Sequence, residues 1–414
     1  MALTLSGTNG VVGAGFTLDP SGASVTAGVG TFSSAKVGAA VTITESGIEA
    51  SGIGITCANI NGAQIGGRRN MVINGAMNVA QRTTSSSGSS TTLTYICDRF
   101  FVYADNIDNL VLTRAQVSDA PAGFSKSFKV SVTTAETTLD ANEALQVGQR
   151  IEAQDLQHLE NGSSTAKPVT LSFFVKSYQT GTFNVNLYKP DNTVRHISAT
   201  YTVNQSATWE KKTITFAGDT AGGGINDDNG NGLTLYWHLA AGSNYTSADS
   251  TSWGNYSAAG FAYGQAVNVM SSTDNYWQIT GVQLEVGSQA TPFEHRSFGE
   301  ELELCQRYYQ KSYDYSVTPG TATNTGAIIN TAYAAINYAG FSVQLPVRMR
   351  DQPTVTLYST STGATGKMNA DSAVGTAQAS YIGEKNFFAN RQDDSTGVGT
   401  NVYMRCHYQA VSEL

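Results

Sequence analysis

Short runs in which apolar and polar residues alternate recur along most of this chain, separated by clusters of Gly, Ser, Thr, Asn and Asp. Thr170-Leu171-Ser172-Phe173-Phe174-Val175 and Thr213-Ile214-Thr215-Phe216 carry the pattern most clearly. A period of two sends one side of an extended segment into a core and the other toward solvent, so such runs read as half-buried strands. Further candidates lie at 110–112, 128–132, 183–188, 233–239 and 276–284, and 71–77 reads as a strand running into a turn. The segment 95–102 is strand-like as well. Many short strands with turn signals between them, and few helical stretches, predict a β-sandwich.

Composition agrees. Of 414 residues only 14% are charged, while Gly (42), Tyr (20) and Phe (16) are plentiful, a blend that favours strands and turns over helices. A hydrophobic content of 40% still suffices for sizeable cores, which argues against disorder. The net charge of −8 speaks against a nucleic-acid partner, whose binding depends on neutralising phosphates; a tight basic pair such as Arg68–Arg69 is not a patch. No run approaches the roughly 18 apolar residues of a membrane span, so no membrane insertion is expected. The start, Met1-Ala2-Leu3-Thr4-Leu5-Ser6, lacks the basic and apolar regions of a signal peptide, which predicts folding in a cytosol. Cys57, Cys97, Cys305 and Cys406 lie far apart and read as reduced thiols, mostly in cores.

Residues 1–66 differ from the rest of the chain. Their charges are Asp19, Lys36, Glu45 and Glu49, their only aromatics Phe16 and Phe32, and Val-Thr bursts alternate with Gly, Ser and Ala. Such a segment has too little large apolar surface to offset its own ordering entropy as a monomer. It is either a flexible tail or a stretch that wraps with identical copies about a shared axis, and the alternation of Val and Ile favours the second. Farther along, Ser297 with Glu300 three residues on forms a capping box. It opens a helix with acidic Glu300, Glu301 and Glu303 near its start and Arg307 and Lys311 near its end. Leu302, Cys305 and Tyr309 share one face of it. Strand patterns resume at 327–338, 341–347, 354–358 and 402–408. The helix therefore marks a boundary, and the chain divides into 1–66, 67–298 and 299–414.

Three motifs stand together: Asn70-Met71-Val72-Ile73-Asn74-Gly75-Ala76-Met77-Asn78-Val79-Ala80-Gln81-Arg82, then Tyr95-Ile96-Cys97-Asp98-Arg99-Phe100, then Trp277-Gln278-Ile279-Thr280-Gly281-Val282-Gln283-Leu284-Glu285-Val286-Gly287-Ser288-Gln289-Ala290-Thr291-Pro292-Phe293-Glu294. With the helix Glu301-Leu302-Glu303-Leu304-Cys305-Gln306-Arg307-Tyr308-Tyr309, this constellation resembles the tail-fibre and other appendage proteins of tailed bacteriophages, notably of marine and cyanobacterial phages. The flanking motifs resemble the first and last strands of a jelly roll similar to carbohydrate-binding domains. The resemblance is specific over 69–311 and compositional over 1–66. It implies an all-β protein with an oligomeric shaft or attachment segment (1–66), a jelly-roll-like sandwich (67–298), and a short helix with a C-terminal β-sandwich domain (299–414). It further implies a homotrimer that binds another tail or capsid protein through 1–66 and attaches a virion to host-surface polysaccharide or protein. Such a particle assembles in the host cytoplasm and leaves by lysis. The alternatives are a non-receptor part, such as a capsid decoration fibre or tail adaptor, and third a polysaccharide-degrading tailspike.

Sugar binding calls for exposed aromatic faces beside convergent polar groups. Trp253 sits in a turn-rich stretch with Tyr245 and Tyr256 near it, which makes these three candidate ligand residues; the plainer alternative is that Trp253 plugs its loop onto the core. Trp237 and Trp277 lie in strand patterns and are expected inside. In the last part, the polar loops at 318–325 and 363–369 and the stretch with Arg391 and Asp393 are candidates for recognition. Asp227-Asp228-Asn229-Gly230-Asn231-Gly232 matches the first half of a calcium loop, with Asp227, Asn229 and Asn231 as ligands of a structural calcium ion. His238 stands where the loop's final Glu belongs, and a hairpin turn needs the same residues. Glu294-His295 is the one local acid–base pair, and no nucleophile elbow, phosphate loop or His-x-x-x-His spacing is present, so no enzyme activity is expected.

Overall fold

The computed structural model describes residues 68–89, 93–332, 338–392 and 401–414, together with the backbone of the short strands Ser34–Val37, Val41–Thr44, Gly47–Ala50, Asn59–Ile60 and Ala63–Gln64. The chain forms two compact units, 1–58 and 59–414. In the first, Ser34–Val37, Val41–Thr44 and Gly47–Ala50 make a three-stranded antiparallel sheet. The expected shaft over 1–66 and Cys57 otherwise lie outside the described residues.

The second unit is all-β. Its larger part is a sandwich of two antiparallel sheets. The front sheet has the order Gly254–Asn255, Arg195–Val203, Gly181–Lys189, Asn231–Ala241, Ala144–Glu152, Phe101–Asp105, Thr94–Tyr95. The back sheet has the order Glu210–Phe216, Val169–Ser177, Tyr276–Val286, Ser127–Thr134, Val111–Val117, Ser85–Gly88. Alternation places Leu171, Phe173 and Val175 inward from the back sheet and Phe183, Val185 and Leu187 inward from the front one. Between them Trp237 and Trp277 are fully buried, as expected, and the Phe173 ring meets Trp237 edge-on at 5.8 Å. Each such side chain contributes on the order of 1.5–3 kcal/mol when buried.

Two strand readings from sequence give way to the structure. Residues 71–77 form no strand but a run of turns, because side chains replace ladder partners. The Asn70 amide accepts from the N–H groups of Val72 and Leu284 and donates to the Val282 carbonyl, and Glu294 accepts from the N–H groups of Arg69 and Asn70. Asn74, in the left-handed region at φ 61°, donates to the Val79 and Asp98 carbonyls and accepts from the Val79 N–H. The segment 95–102 breaks in two, around a turn in which Arg99 has φ 73°.

The helix Phe298–Gln306 is capped by Ser297, whose hydroxyl accepts the Glu300 N–H at 3.3 Å. The Glu300 carboxylate turns to Arg68 at 2.8 Å. Its buried residues are Glu301 and Cys305, and Tyr309 opens the next strand instead of facing the core from the helix. Beyond it, Val402–Val411 pairs with Tyr309–Lys311, Ile328–Ala332, Thr354–Tyr358 and Lys367–Ala370, and Ala373–Ser380, Asn386–Gln392 and Tyr338–Gln344 extend the sheet. Phe341, Met349, Leu357, Met368, Phe387 and Met404 form a separate core there.

These two β domains are joined by charge. The Arg99 guanidinium, 2% exposed, lies 3.4 Å from the Tyr308 ring centroid, pairs with Glu413 and donates to the Arg150 carbonyl at 2.7 Å. Arg82 meets Glu413 at 2.8 Å and sits over the Tyr309 ring. Glu152, fully buried, accepts from Nε and one Nη of Arg307, each at 2.7 Å, and its carboxyl is held below the usual range by those bonds and the Tyr308 hydroxyl against the opposing effect of burial. Removing one partner of a buried pair leaves the other charge uncompensated. Glu413→Ala is therefore expected to lower unfolding free energy by about 3–5 kcal/mol in urea titrations. Arg68→Ala, which breaks an exposed pair, is expected to change it by about 0.5 kcal/mol or less.

Candidate functional site: an aromatic cleft on the front sheet

The register of the front sheet builds a cleft on its outer face. Because Leu233, Leu235 and Trp237 point inward, Tyr236 and His238 point out; because Val185 and Leu187 point inward, Asn186 and Tyr188 point out. Pairing aligns Tyr103, Gln146 and His238 in one cross-strand row, and Phe101, Gly148, Tyr236, Asn186 and Ser198 in the next. The third row holds Arg150, Thr234, Tyr188 and His196. Gly148 is needed for this floor: a Cβ there would run into the Phe101 ring and lie 2.7 Å from the Leu235 carbonyl oxygen. The Phe101 ring meets Tyr236 edge-on at 5.8 Å.

The connection after Asn231–Ala241 covers the far part of this face. Phe261 caps it with edge contacts to Tyr188, Tyr236, His238 and Tyr256 at 5.1–6.0 Å. Beneath, the Asn186 amide bonds Ser198 and the Phe261 carbonyl, and Asn184 bonds Gln265 and the Tyr263 carbonyl. What remains open is a cleft of about 600 Å³ bordered by Tyr103, Tyr188, Tyr236, Tyr256 and Phe261, with Asp105, Gln146, Arg150 and Asn231 as its polar groups. Burial raises the phenols of Tyr188, Tyr236 and Tyr256, and burial with the neighbouring Asp105 raises Tyr103. All four are thus neutral at pH 7, and present uncharged ring faces with hydroxyls that can donate or accept.

The residues singled out from sequence divide. Tyr256, 43% exposed, borders the cleft and meets Tyr188 edge-on at 5.7 Å. Tyr245 is half-buried beside it, with its hydroxyl 3.1 Å from both the Asp105 carboxylate and the Asn142 carbonyl; burial and Asp105 push it up to about 12. Trp253 lies elsewhere, packed on the core, its indole N–H donating to the Ala217 carbonyl at 2.7 Å, along a second groove of about 570 Å³ at the sandwich edge. Its own carbonyl accepts from Arg195, which forms with Lys189 a buried pair of cations around Asp219. Arg391 is 4% exposed on the strand Asn386–Gln392, so it is not a loop residue, and Asp393 lies outside the described residues. The Asn229 amide donates to the Arg350 carbonyl, the Asn231 amide is closed on Thr234, and Asp227 is exposed. As placed, the amide nitrogens serve the hairpin and its contact with Arg350, and the Asn231 amide oxygen accepts from the Thr234 hydroxyl.

Tyr103, Tyr188, Tyr236, Phe261, Gln146 and Arg150 were not evident from sequence as site residues. The available signal was phase: aromatic side chains recurring at the outward positions of strands whose inward positions are already apolar.

No protein-family model and no curated protein sequence matches the chain. Among solved structures it is similar to a putative sugar binding protein from Bacteroides thetaiotaomicron (13% identity, 53% of this chain and 100% of that one, TM-score 0.29). It is also similar to the family 11 carbohydrate-binding module from Clostridium thermocellum (11%, 50% and 99%, TM-score 0.26). A third similarity is to the enzymatically active domain of bacteriophage CBA120 tailspike protein 4 (14%, 52% and 21%, TM-score 0.26). The match thus spans about a fifth of the tailspike chain. TM-scores this low are too small to transfer a function from these proteins to this chain.

His238, fully buried at the cleft floor, gives a pH signature. Burial pushes its pKa down to about 3, partly offset by the Phe261 backbone. Below an unfolded-state value of about 6.5 the unfolded chain takes up a proton that the folded one refuses, so stability falls as pH drops from about 6.5 toward 3. The slope from this one group approaches about 1.4 kcal/mol per pH unit. Thermal melts of His238→Phe between about pH 6.5 and 4.5, above the main carboxylate range, should show a flatter dependence than the parent.

Proposed function

We propose that this chain is a non-catalytic glycan-binding protein that holds its ligand in the front-sheet cleft, and that it serves as an attachment fibre of a virus particle. The observation that carries the first part is the cleft itself: neutral tyrosines line an open groove between a carboxylate, two amides and a guanidinium. Aromatic faces cover the apolar faces of pyranose rings, and a few convergent polar groups fix their orientation. What the neighbouring structures are named for agrees with this reading but does not carry it. The second part is supported by the resemblance of 69–311 to phage appendage proteins. Weak sites on one oligomer then act together through effective concentration, which makes adhesion strong without any single tight site.

Titration with host-surface polysaccharide tests the first part. Tyr188→Ala and Tyr256→Ala should each weaken binding several-fold to about tenfold, while Tyr178→Ala, exposed elsewhere, should not. The polysaccharide should be recovered with no new reducing ends; measurable cleavage would instead favour a degrading enzyme.

The oligomer is tested separately. Light scattering of the full-length chain should give the mass of a homotrimer, and a stable monomer would contradict the fibre reading.

A further inference from the structure

The cleft is electrically polar along its length. Gln146 and Arg150 stand on the same side of one strand, roughly 13 Å apart at about 3.3 Å per residue, and Asp105 pairs with Ala144 beyond Gln146. One end therefore holds Asp105, whose carboxylate already accepts from Tyr245 and faces the Tyr103 hydroxyl. The other end holds Arg150 and Asn231. Arg150 is half-buried, its guanidinium lying 5.4 Å from the Phe101 ring centroid and donating through one nitrogen to the Leu414 carbonyl. A guanidinium has five N–H donors, so others remain for a ligand at this wall of the cleft. Behind it Arg82 pairs with Asp98 and Glu413, and Arg99 with Glu413, so these two cations are matched by two carboxylates and Arg150 is the cation that borders the cleft.

We infer that the cleft takes an acidic glycan, with a ring carboxylate or an ester sulfate or phosphate seated on Arg150 and neutral rings extending over Tyr236, Tyr188 and Tyr256 toward Gln146. This rests on the glycan reading of the same cleft. Arg suits the role because its planar fork matches a carboxylate or phosphate with two parallel bonds. Asp105 repels an anion at the opposite end, so charge sets the direction in which the chain of sugars lies. Partial burial against Phe101 shields the contact from salt more than a surface pair would be shielded.

The test is a glycan array probed with the full-length protein, with matched neutral and acidic members, among them oligogalacturonate and its methyl ester. The ester removes the charge and keeps the rings. Retained glycans are expected to be acidic, with neutralised counterparts bound about tenfold more weakly or less. Arg150→Gln should bring acidic members down to the neutral level, Arg150→Lys should keep part of the preference, and Tyr256→Ala should weaken acidic and neutral members alike. Melting temperatures identify any variant that is misfolded, and Arg150→Lys decides the matter if Arg150→Gln is one. Retention of neutral glycans with no effect at Arg150 would overturn the acidic inference and leave the glycan reading standing. Retention of nothing on the array would overturn both.

Discussion

The guanidinium of Arg99 is where the parts of the second unit meet. It is almost wholly buried, sits on the Tyr308 ring, pairs with Glu413 and donates to the carbonyl of Arg150. One side chain thus ties the strand Ala144–Glu152 of the sandwich to the segment after the helix and to the end of the strand-rich second domain. The backbone pays for this placement with a left-handed conformation at Arg99, which a non-glycine residue adopts only where its surroundings over-determine it. Because the tether is the carbonyl of Arg150, the same contact fixes the strand from which Arg150 projects into the cleft. Joining the domains and shaping the basic end of the cleft are one problem with one solution.

Much of the sandwich was legible from alternation. The strands Val169–Ser177, Gly181–Lys189, Asn231–Ala241 and Tyr276–Val286 all cover segments whose pattern predicted them, and the Ser297 cap was evident from residue types alone. Ala144–Glu152 and Arg195–Val203 were not evident, for a reason tied to the site. In the first, Gly148 floors the cleft and the buried Gln149 interrupts the inward series Leu145, Val147 and Ile151; in the second, His196 and Ser198 are buried under the Phe261 connection, so neither strand contrasts an apolar inner row with an exposed outer one. In the turns at 70–82, Asn70 and Asn74 supply hydrogen bonds that a strand would draw from a neighbour, and nothing in local composition separates the two cases.

The candidate site was legible only in part. Tyr256 was found because it stands in a turn-rich stretch, and Trp253 was chosen for the same reason but packs on the core. The other tyrosines come from strands distant in sequence and converge only through register. A one-residue slip of Asn231–Ala241 against Ala144–Glu152 would send Tyr236 inward and Trp237 out, so the cleft exists only in this pairing.

Solvent protection of individual tyrosines tests the central claim most directly. Hydroxyl-radical footprinting, read by mass spectrometry with and without saturating host-surface polysaccharide, reports each ring separately. If the cleft holds the glycan, Tyr103, Tyr188, Tyr236 and Tyr256 lose reactivity while Tyr381 and Tyr403, two exposed tyrosines of the second β domain, keep theirs. Protection of Tyr381 and Tyr403 with no change in the cleft would contradict it.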